Sequence, residues 1–201
     1  IIATNQGAVR RGAASVNLDI NHPDIHEYLE IRRPKGDPNR QCLNLHQCVV
    51  VDDPFMRKLE SRDQETMDTW AKILKARMET GEPYIHYIDT SNRDMKDFQK
   101  EKGLRIHQSN LCSEIILPTN EQRTAVCCLS SVNLENYDAW SRQPAFLKDI
   151  AEMLDNVLQF FIENAPDAVA RAKFSASQEL SLIHISEPTR PLYISYAVFC
   201  L

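Results

Sequence analysis

The sequence lacks the features that define several classes of protein. It contains no run of about 18 apolar residues, so no transmembrane helix and no membrane partner is expected. Its six cysteines include no Cys-x-x-Cys pair and no Cys/His set with zinc-site spacing, so we expect no metal site. The formal net charge of -5 argues against binding to nucleic acid through bulk positive charge. Neither an internal repeat nor a low-complexity tract is visible.

The amino terminus lacks both an initiator methionine and a targeting signal. "IIATNQGAVRRGAAS" does not have the basic, apolar and small-residue order of a secretory signal peptide. We therefore expect a fragment of a longer protein, a cytoplasmic location and reduced thiols. With 201 residues, 43% hydrophobic and 25% charged, the chain is large enough to form one domain with a substantial core.

Strand-like and helix-like segments alternate along the chain. Strands are expected at 12–20, 42–53 and 83–89, and helices at 21–33, 61–81 and 146–161. In the helix 61–81, Ser61 and Gln64 form a possible capping box and Gly81 is the expected stop. Residues 90–109 are polar and irregular, and "EIILP" and "TAVCCLSSVNL" resemble two further strands. This alternation favours an α/β architecture with largely parallel strands.

One loop combines a thiol, an amide and a carboxylate. In "HQSNLCSEIILPT" (107–119), Cys112 stands two residues after Asn110 and two before Glu114. The thiol has three possible active roles: a nucleophile with His107 as base, a metal ligand, or a redox thiol. In the redox role, the amide and acid would bind substrate hydroxyls and Cys127 would supply reducing equivalents. From spacing alone, a buried packing cysteine at the entrance of a strand is favoured over these active roles.

Four segments, in order, resemble the large (catalytic) subunit of ribonucleotide reductase. "QSNLCSEIILPT" resembles the finger loop of that family, and "AVCCLSSVNL" resembles the next barrel strand, which carries a redox-active cysteine. "RRGAASVNLDINHPDIHEYLEIRR" resembles the segment upstream, and "KGDPNRQCLNLHQCVVVDDPFM" resembles the specificity-loop segment. The resemblance covers roughly residues 7–179. It implies part of a ten-stranded α/β barrel with a finger loop that carries the radical cysteine.

The resemblance also implies roles for individual residues. Cys112 would be the thiyl-radical cysteine that takes hydrogen from the ribose 3′ carbon. Glu114 would accept the 3′ hydroxyl proton, and Asn110 would hydrogen-bond the ribose hydroxyls. Cys127 would be one half of the dithiol that is oxidised as the ribose is reduced. Cys128 is the alternative for that role, and otherwise it would be a packing residue.

Further expectations concern the specificity loop, the cofactor and the partners. Arg40 and Gln41 would contact the substrate base or relay the signal of a nucleoside triphosphate effector. No cofactor is expected to bind this fragment directly, because the radical would come from a small metal-containing partner subunit, or alternatively from adenosylcobalamin. The substrate would be a ribonucleoside di- or triphosphate. A thioredoxin or glutaredoxin type protein would be the reductant, and the large subunit would form a homodimer.

The final stretch does not fit the family. "SLIHISEPTRPLYISYAVFCL" resembles translated sequencing-adapter read-through, so residues 1–179 are expected to be the barrel fragment and 180–201 a non-native tail that packs poorly. The other redox cysteine of the family would lie upstream of residue 1, and the fragment alone is expected to be inactive. A non-catalytic nucleotide-binding barrel module is the alternative, and a thiol hydrolase that uses Cys112 and His107 is a third hypothesis.

Overall fold

A computed structural model describes residues 12–35, 37–128 and 132–183. The described residues up to Leu117 form one compact unit, and those from Pro118 onward form a second. The strands of the first unit are β1 (Ser15–Asp19), β2 (His46–Val51) and β3 (Tyr84–Tyr87). Its helices are α1 (Ile25–Tyr28), α2 (Asp53–Glu60), α3 (Gln64–Thr80), α4 (Ile88–Asp94) and α5 (Asp97–Glu101), with a 3-10 turn at Pro38–Arg40. No helix in the described ranges is long and apolar enough to cross a membrane.

The three strands form a parallel sheet in the order β1-β2-β3, with β2 in the centre. Val49 and Val51 pack into a core with helical side chains that include Ile73. Val50, on the opposite face, belongs to a second core cluster with Ile88, Met95 and Ile106. Both faces of β2 are therefore covered, which explains why its sequence is a continuous apolar run and does not alternate.

Helix α3 confirms the predicted stop and corrects the predicted start. Gly81 follows the last turn with a φ of 80°, a left-handed conformation that glycine adopts without a steric penalty. The cap is Asp63, whose carboxylate accepts a hydrogen bond from the Thr66 N–H at 3.0 Å. The expected capping box of Ser61 and Gln64 is wrong, because Ser61 ends α2 and its hydroxyl donates to the Lys58 carbonyl at 2.8 Å.

The second unit is helical in its described part. It contains α6 (Tyr137–Trp140), α7 (Phe146–Asn164) and α8 (Ala170–Ile183), with 3-10 turns at Leu134–Asn136 and Asp167–Val169. Helices α7 and α8 pack together, and Leu154, Leu158 and Ala176 are buried. The Arg123 guanidinium lies 5.1 Å from the centre of the Phe174 ring, a cation–π contact within this unit.

Several predicted elements differ from the structure. The helix expected at 21–33 is only the short α1, and the segment 90–109 contains the end of α4 and all of α5, where an irregular loop was expected. The described residues of "EIILP" and "TAVCCLSSVNL" form no strand, since they pair with no neighbouring strand in the described chain. The prediction for the tail at 184–201 lies outside the described residues.

Candidate active site

Cys112 lies in a loop whose ends are held together by backbone hydrogen bonds. The Asn110 N–H donates to the Ile115 carbonyl at 3.0 Å, and the Ile115 N–H donates to the Asn110 side-chain oxygen at 3.0 Å. The Ser113 N–H donates to the Asn110 carbonyl at 3.2 Å. Ile115 is buried and fixes one end of the loop, whereas Cys112 is exposed between these contacts.

The two polar side chains that flank Cys112 bind each other. Asn110 Nδ2 donates to Glu114 Oε1 at 2.7 Å, while Asn110 Oδ1 is engaged by the Ile115 N–H. Both ends of the amide are therefore fixed in orientation. An amide nitrogen carries two hydrogens and a carboxylate accepts several hydrogen bonds, so the pair retains donor and acceptor capacity for neighbouring hydroxyl groups.

Ser113 makes the chain reverse beside the thiol. Its φ is 66°, a left-handed conformation that is uncommon for a residue other than glycine. Such a conformation costs about 1–2 kcal/mol for a residue with a Cβ atom. Backbone strain of this kind concentrates at functional sites, where the surrounding contacts hold it in place. The local sequence carried no signal for it.

The histidine that would serve a hydrolase is not bonded to the thiol. His107 and Cys112 are both exposed, and the structure gives no hydrogen bond between them in the described part of the loop. A general base must come within hydrogen-bond reach of its nucleophile, so this geometry lends the hydrolase hypothesis no support. Across 12–35, 37–128 and 132–183, no three His, Cys, Asp or Glu residues are grouped for a metal ion.

The cysteines predicted for the dithiol lie in the second unit. Cys127 and Cys128 are both half-buried and belong to a segment without assigned helix or strand in the described chain. Cys112 belongs to the first unit. The pairing of Cys112 and Cys127 across a ribose therefore stays a prediction. Of the other cysteines of the first unit, Cys48 is buried, as a packing role requires, whereas Cys42 is exposed.

The predicted specificity residues follow the first strand and its short helix. Arg40 is exposed at the end of the turn Pro38–Arg40, and its guanidinium lies 3.4 Å from the Glu27 carboxylate. Gln41 is half-buried, and its N–H donates to the Pro38 carbonyl at 3.3 Å. Both residues are thus at least partly exposed on the first unit, and their predicted contact with a nucleotide stays a prediction.

Sequence reasoning missed a buried carboxylate at the amino ends of β2 and β3. Glu82 lies 2.5 Å from His46 Nδ1 and 3.3 Å from Arg32 Nε, and it accepts the Gln47 N–H at 2.8 Å. These contacts compensate the cost of burying the charge, so Glu82 ties the strands together. A single glutamate between Gly81 and Pro83 gives no signal of this role in the sequence.

A family model described as the barrel domain of ribonucleotide reductase matches residues 1–69 and 64–179 of the chain. A protein of Frog virus 3 (isolate Goorha), provisionally named a ribonucleoside-diphosphate reductase large subunit, is 46% identical in an alignment 195 residues long that covers 88% of this chain and 34% of the viral protein. The large subunit of Invertebrate iridescent virus 3 is 39% identical over 249 residues and covers 90% of this chain and 40% of its own length.

A solved structure is also similar. The class Id ribonucleotide reductase alpha subunit of Actinobacillus ureae superposes with a TM-score of 0.72 and 32% identity, over 84% of this chain and 32% of the other. The predicted fold class, part of an α/β barrel of this type, is confirmed. The chain spans between about a third and two fifths of the length of the viral relatives.

Proposed function

The chain belongs to the ribonucleotide reductase barrel-domain family, and on that premise we propose that it carries the central catalytic loop of a large subunit that reduces ribonucleotides. The observation that carries the proposal is the loop around Cys112. Its amide and carboxylate, Asn110 and Glu114, are joined at 2.7 Å on either side of the thiol. A substrate with adjacent hydroxyl groups, such as a ribose, suits this arrangement of donor, acceptor and sulfur.

In the proposed reaction, the thiyl radical of Cys112 takes the hydrogen atom from the ribose 3′ carbon and becomes a thiol. Glu114 accepts the 3′ hydroxyl proton as the 2′ hydroxyl takes a proton from a thiol and leaves as water, and Glu114 later returns its proton to the 3′ oxygen. A carboxylate suits this role when substrate binding excludes water from around it, because desolvation raises its affinity for a proton. Asn110 holds the ribose through its free N–H and keeps the Glu114 carboxylate in place.

Over the reaction a dithiol supplies two electrons and two protons, one proton to the departing water and one to the 2′ carbon, and it becomes a disulfide. Cys127 is proposed as one of these thiols, with a second cysteine from outside this chain, and Cys128 is the alternative to Cys127. The hydrogen atom finally returns from the Cys112 thiol to the 3′ carbon, which regenerates the thiyl radical. Cys112 is therefore unchanged over the cycle, whereas the dithiol needs an external reductant such as thioredoxin or glutaredoxin.

The names of the relatives guide the proposal for substrate and partners. The viral relatives are named ribonucleoside-diphosphate reductases, which favours a diphosphate substrate. The similar solved structure is the alpha subunit of a class Id enzyme, which favours a radical supplied by a separate metal-containing subunit over adenosylcobalamin. Arg40 and Gln41 are proposed to contact the base or the nucleoside triphosphate effector. We also propose that the whole large subunit is a homodimer.

Substitution of Cys112 in the full-length parent subunit tests this function. Cys112→Ser should abolish ribonucleotide reduction while nucleotide binding is retained. Cys42→Ser is the matched control, since Cys42 is also an exposed thiol of the first unit and has no proposed role. Turnover by Cys112→Ser at the rate of the unsubstituted subunit would exclude the proposal. Nucleotide binding without turnover in the unsubstituted subunit would favour the non-catalytic module.

A further inference from the structure

The segment that leads into the Cys112 loop is held by one side chain of helix α4. Asn92 Oδ1 accepts the Ile106 N–H at 2.9 Å, and Asn92 Nδ2 donates to the Ile106 carbonyl at 2.9 Å. The same Nδ2 donates to the Ile88 carbonyl of its own helix at 2.9 Å. The amide group thus satisfies both backbone groups of one residue, as a neighbouring strand would.

The residue that Asn92 holds is itself fixed in the core. Ile106 is 2% exposed and packs in the cluster that contains Val50 of β2, Ile88 and Met95. Ile106 lies four residues before Asn110, and the segment between them has no strand pairing in the described chain. Its position relative to the sheet therefore depends on the Asn92 contacts and on the packing of the Ile106 side chain.

Helix α4 is in turn attached to the carboxyl end of β2. The Asp53 N–H donates to Asp89 Oδ2 at 2.7 Å, and Asp53 Oδ2 lies 2.5 Å from Arg93 Nη1. Asp89 and Arg93 flank Asn92 on the same short helix. A continuous path of hydrogen bonds thus runs from the end of β2 through α4 to Ile106.

We propose that Asn92 is a positioning residue for the Cys112 loop, which it holds at a fixed place on the sheet through the backbone of Ile106. Asn92 touches neither Cys112 nor its two neighbours. The expected effect of Asn92 on catalysis therefore rests on the proposed function. Catalysis depends on reacting atoms being held within a fraction of an ångström, so an anchor of this kind affects turnover from a distance.

Amide hydrogen exchange measured by NMR on the 201-residue chain tests the positioning directly. Asn92→Ala should raise exchange at the amides of Asn110, Ser113 and Ile115 roughly tenfold, because the loss of such a hydrogen bond shifts a local opening equilibrium by about that factor. Exchange at Val49 and Val51 of β2 should not change. Asn92→Asp keeps the acceptor for the Ile106 N–H, so it should raise the exchange rate of the loop amides by a smaller factor. If Asn92→Ala does not fold, the exchange rates of Asn92→Asp test the proposal.

The matched control is Asn164→Ala. Asn164 Nδ2 donates to the Phe160 carbonyl at 2.9 Å, the same contact within a helix that Asn92 makes to Ile88, but without a tether to another segment. Asn164→Ala should leave the exchange rates of the loop amides unchanged. The proposal would be overturned if Asn92→Ala raised the exchange rate of the Ile106 amide alone, or raised the exchange rates of the β2 amides as much as those of the loop.

Turnover of the full-length parent separates this inference from the proposed function. Asn92→Ala should lower kcat with KM nearly unchanged, whereas Asn164→Ala should change neither. Should Cys112→Ser retain turnover, the proposed function fails, and the exchange result still decides whether Asn92 positions the loop. Faster exchange of the loop amides together with an unchanged kcat in Asn92→Ala would overturn the catalytic part of this inference.

Discussion

The hydroxyl group of Tyr28 is inserted between two strands, where it binds the backbone of Cys48. It accepts the Cys48 N–H at 3.0 Å and donates to the Val16 carbonyl of β1 at 2.5 Å. The side-chain hydroxyl thus bonds the backbone of both strands at a point where β1 and β2 are paired in parallel. Burial raises the pKa of Tyr28, which keeps the hydroxyl protonated and able to donate.

Removal of the Tyr28 hydroxyl should destabilise the sheet. Tyr28→Phe removes a partner from the buried Cys48 N–H and from the part-buried Val16 carbonyl, and the loss of a buried hydrogen-bond partner costs about 1–3 kcal/mol. We expect the free energy of unfolding in urea to fall by about 2 kcal/mol. Tyr137→Phe is the control, since Tyr137 is 54% exposed and should change stability little. Equal stability of the two variants would contradict the bridging role.

Burial of His86 should make the stability of the chain depend on pH. His86 Nε2 lies 2.7 Å from Ser91 Oγ, its Nδ1 has no hydrogen-bond partner, and burial lowers the pKa of the imidazole. The folded chain therefore disfavours a proton that the unfolded chain binds below about pH 6.5. This contribution to stability is fully present above pH 6.5 and is lost as the pH falls below that value.

Urea unfolding at a series of pH values between about 7 and 5 tests the effect of His86. His86→Gln should reduce the slope of the free energy of unfolding against pH in this window. His26→Gln is the control, because His26 is exposed and its substitution should leave the slope unchanged. A slope in His86→Gln equal to that of the unsubstituted chain would contradict the assignment.

The reactivity of the thiols should follow their burial. Cys48 is 2% exposed, and burial raises the pKa of its thiol to about 11, so little thiolate forms near neutral pH. Cys42 and Cys112 are exposed. With iodoacetamide at neutral pH, we expect alkylation of Cys42 and Cys112 at least tenfold faster than of Cys48, an order-of-magnitude estimate from thiolate fraction and access. Peptide mass spectrometry checks this order, and rapid alkylation of Cys48 in the folded chain would contradict it.

The acid beside Cys112 should be needed for chemistry and not for the shape of the loop. In the unsubstituted chain, Asn110 Nδ2 donates a hydrogen bond to Glu114 Oε1 at 2.7 Å. Glu114→Gln keeps an oxygen that can accept this hydrogen bond, but an amide cannot take up a proton as a carboxylate does. In the full-length parent, we expect turnover to fall by roughly 10²–10⁴-fold, the usual contribution of a general base. Exchange at the Ile115 amide should be unchanged. Asn110→Ala should instead raise that exchange, because it removes the acceptor of the Ile115 N–H.

Local signals in the sequence predicted the parts of the fold that depend on local physics. The apolar run of β2 and the stop at Gly81 depend on periodicity and on one backbone conformation, and the structure confirms them. The spacing of Met67, Leu74 and Met78 predicts an apolar face of α3, and that prediction is wrong, because these side chains are exposed. The helix instead buries Thr66, Thr69, Ile73 and Ala76. The predicted start of α3 was wrong because Ser61 and Asp63 are both of a residue type that caps helices. In the structure, Asp63 is the residue that caps α3.

Contacts between distant segments could not be predicted. The apolar run of "EIILP" has the composition of a strand, yet strand formation requires a neighbour to pair with, and Ile116 is 40% exposed. The clamp of Asn92 on Ile106 joins residues 14 positions apart, and neither residue type signals it. For the site, a family resemblance supplied Cys112, Glu114 and Asn110, whereas the bond between Asn110 and Glu114 became visible only in the structure.

A single turnover without external reductant tests the proposed roles of the two sulfurs most directly. The full-length parent is first reduced and then incubated with its partner subunit and a ribonucleoside diphosphate, and its cysteines are mapped by differential alkylation and mass spectrometry. The account predicts one disulfide that includes Cys127 for each deoxyribonucleotide formed, with Cys112 recovered as a free thiol, and neither product nor disulfide in Cys112→Ser. Product formation by Cys112→Ser, or a disulfide that contains Cys112 in place of Cys127, would contradict it.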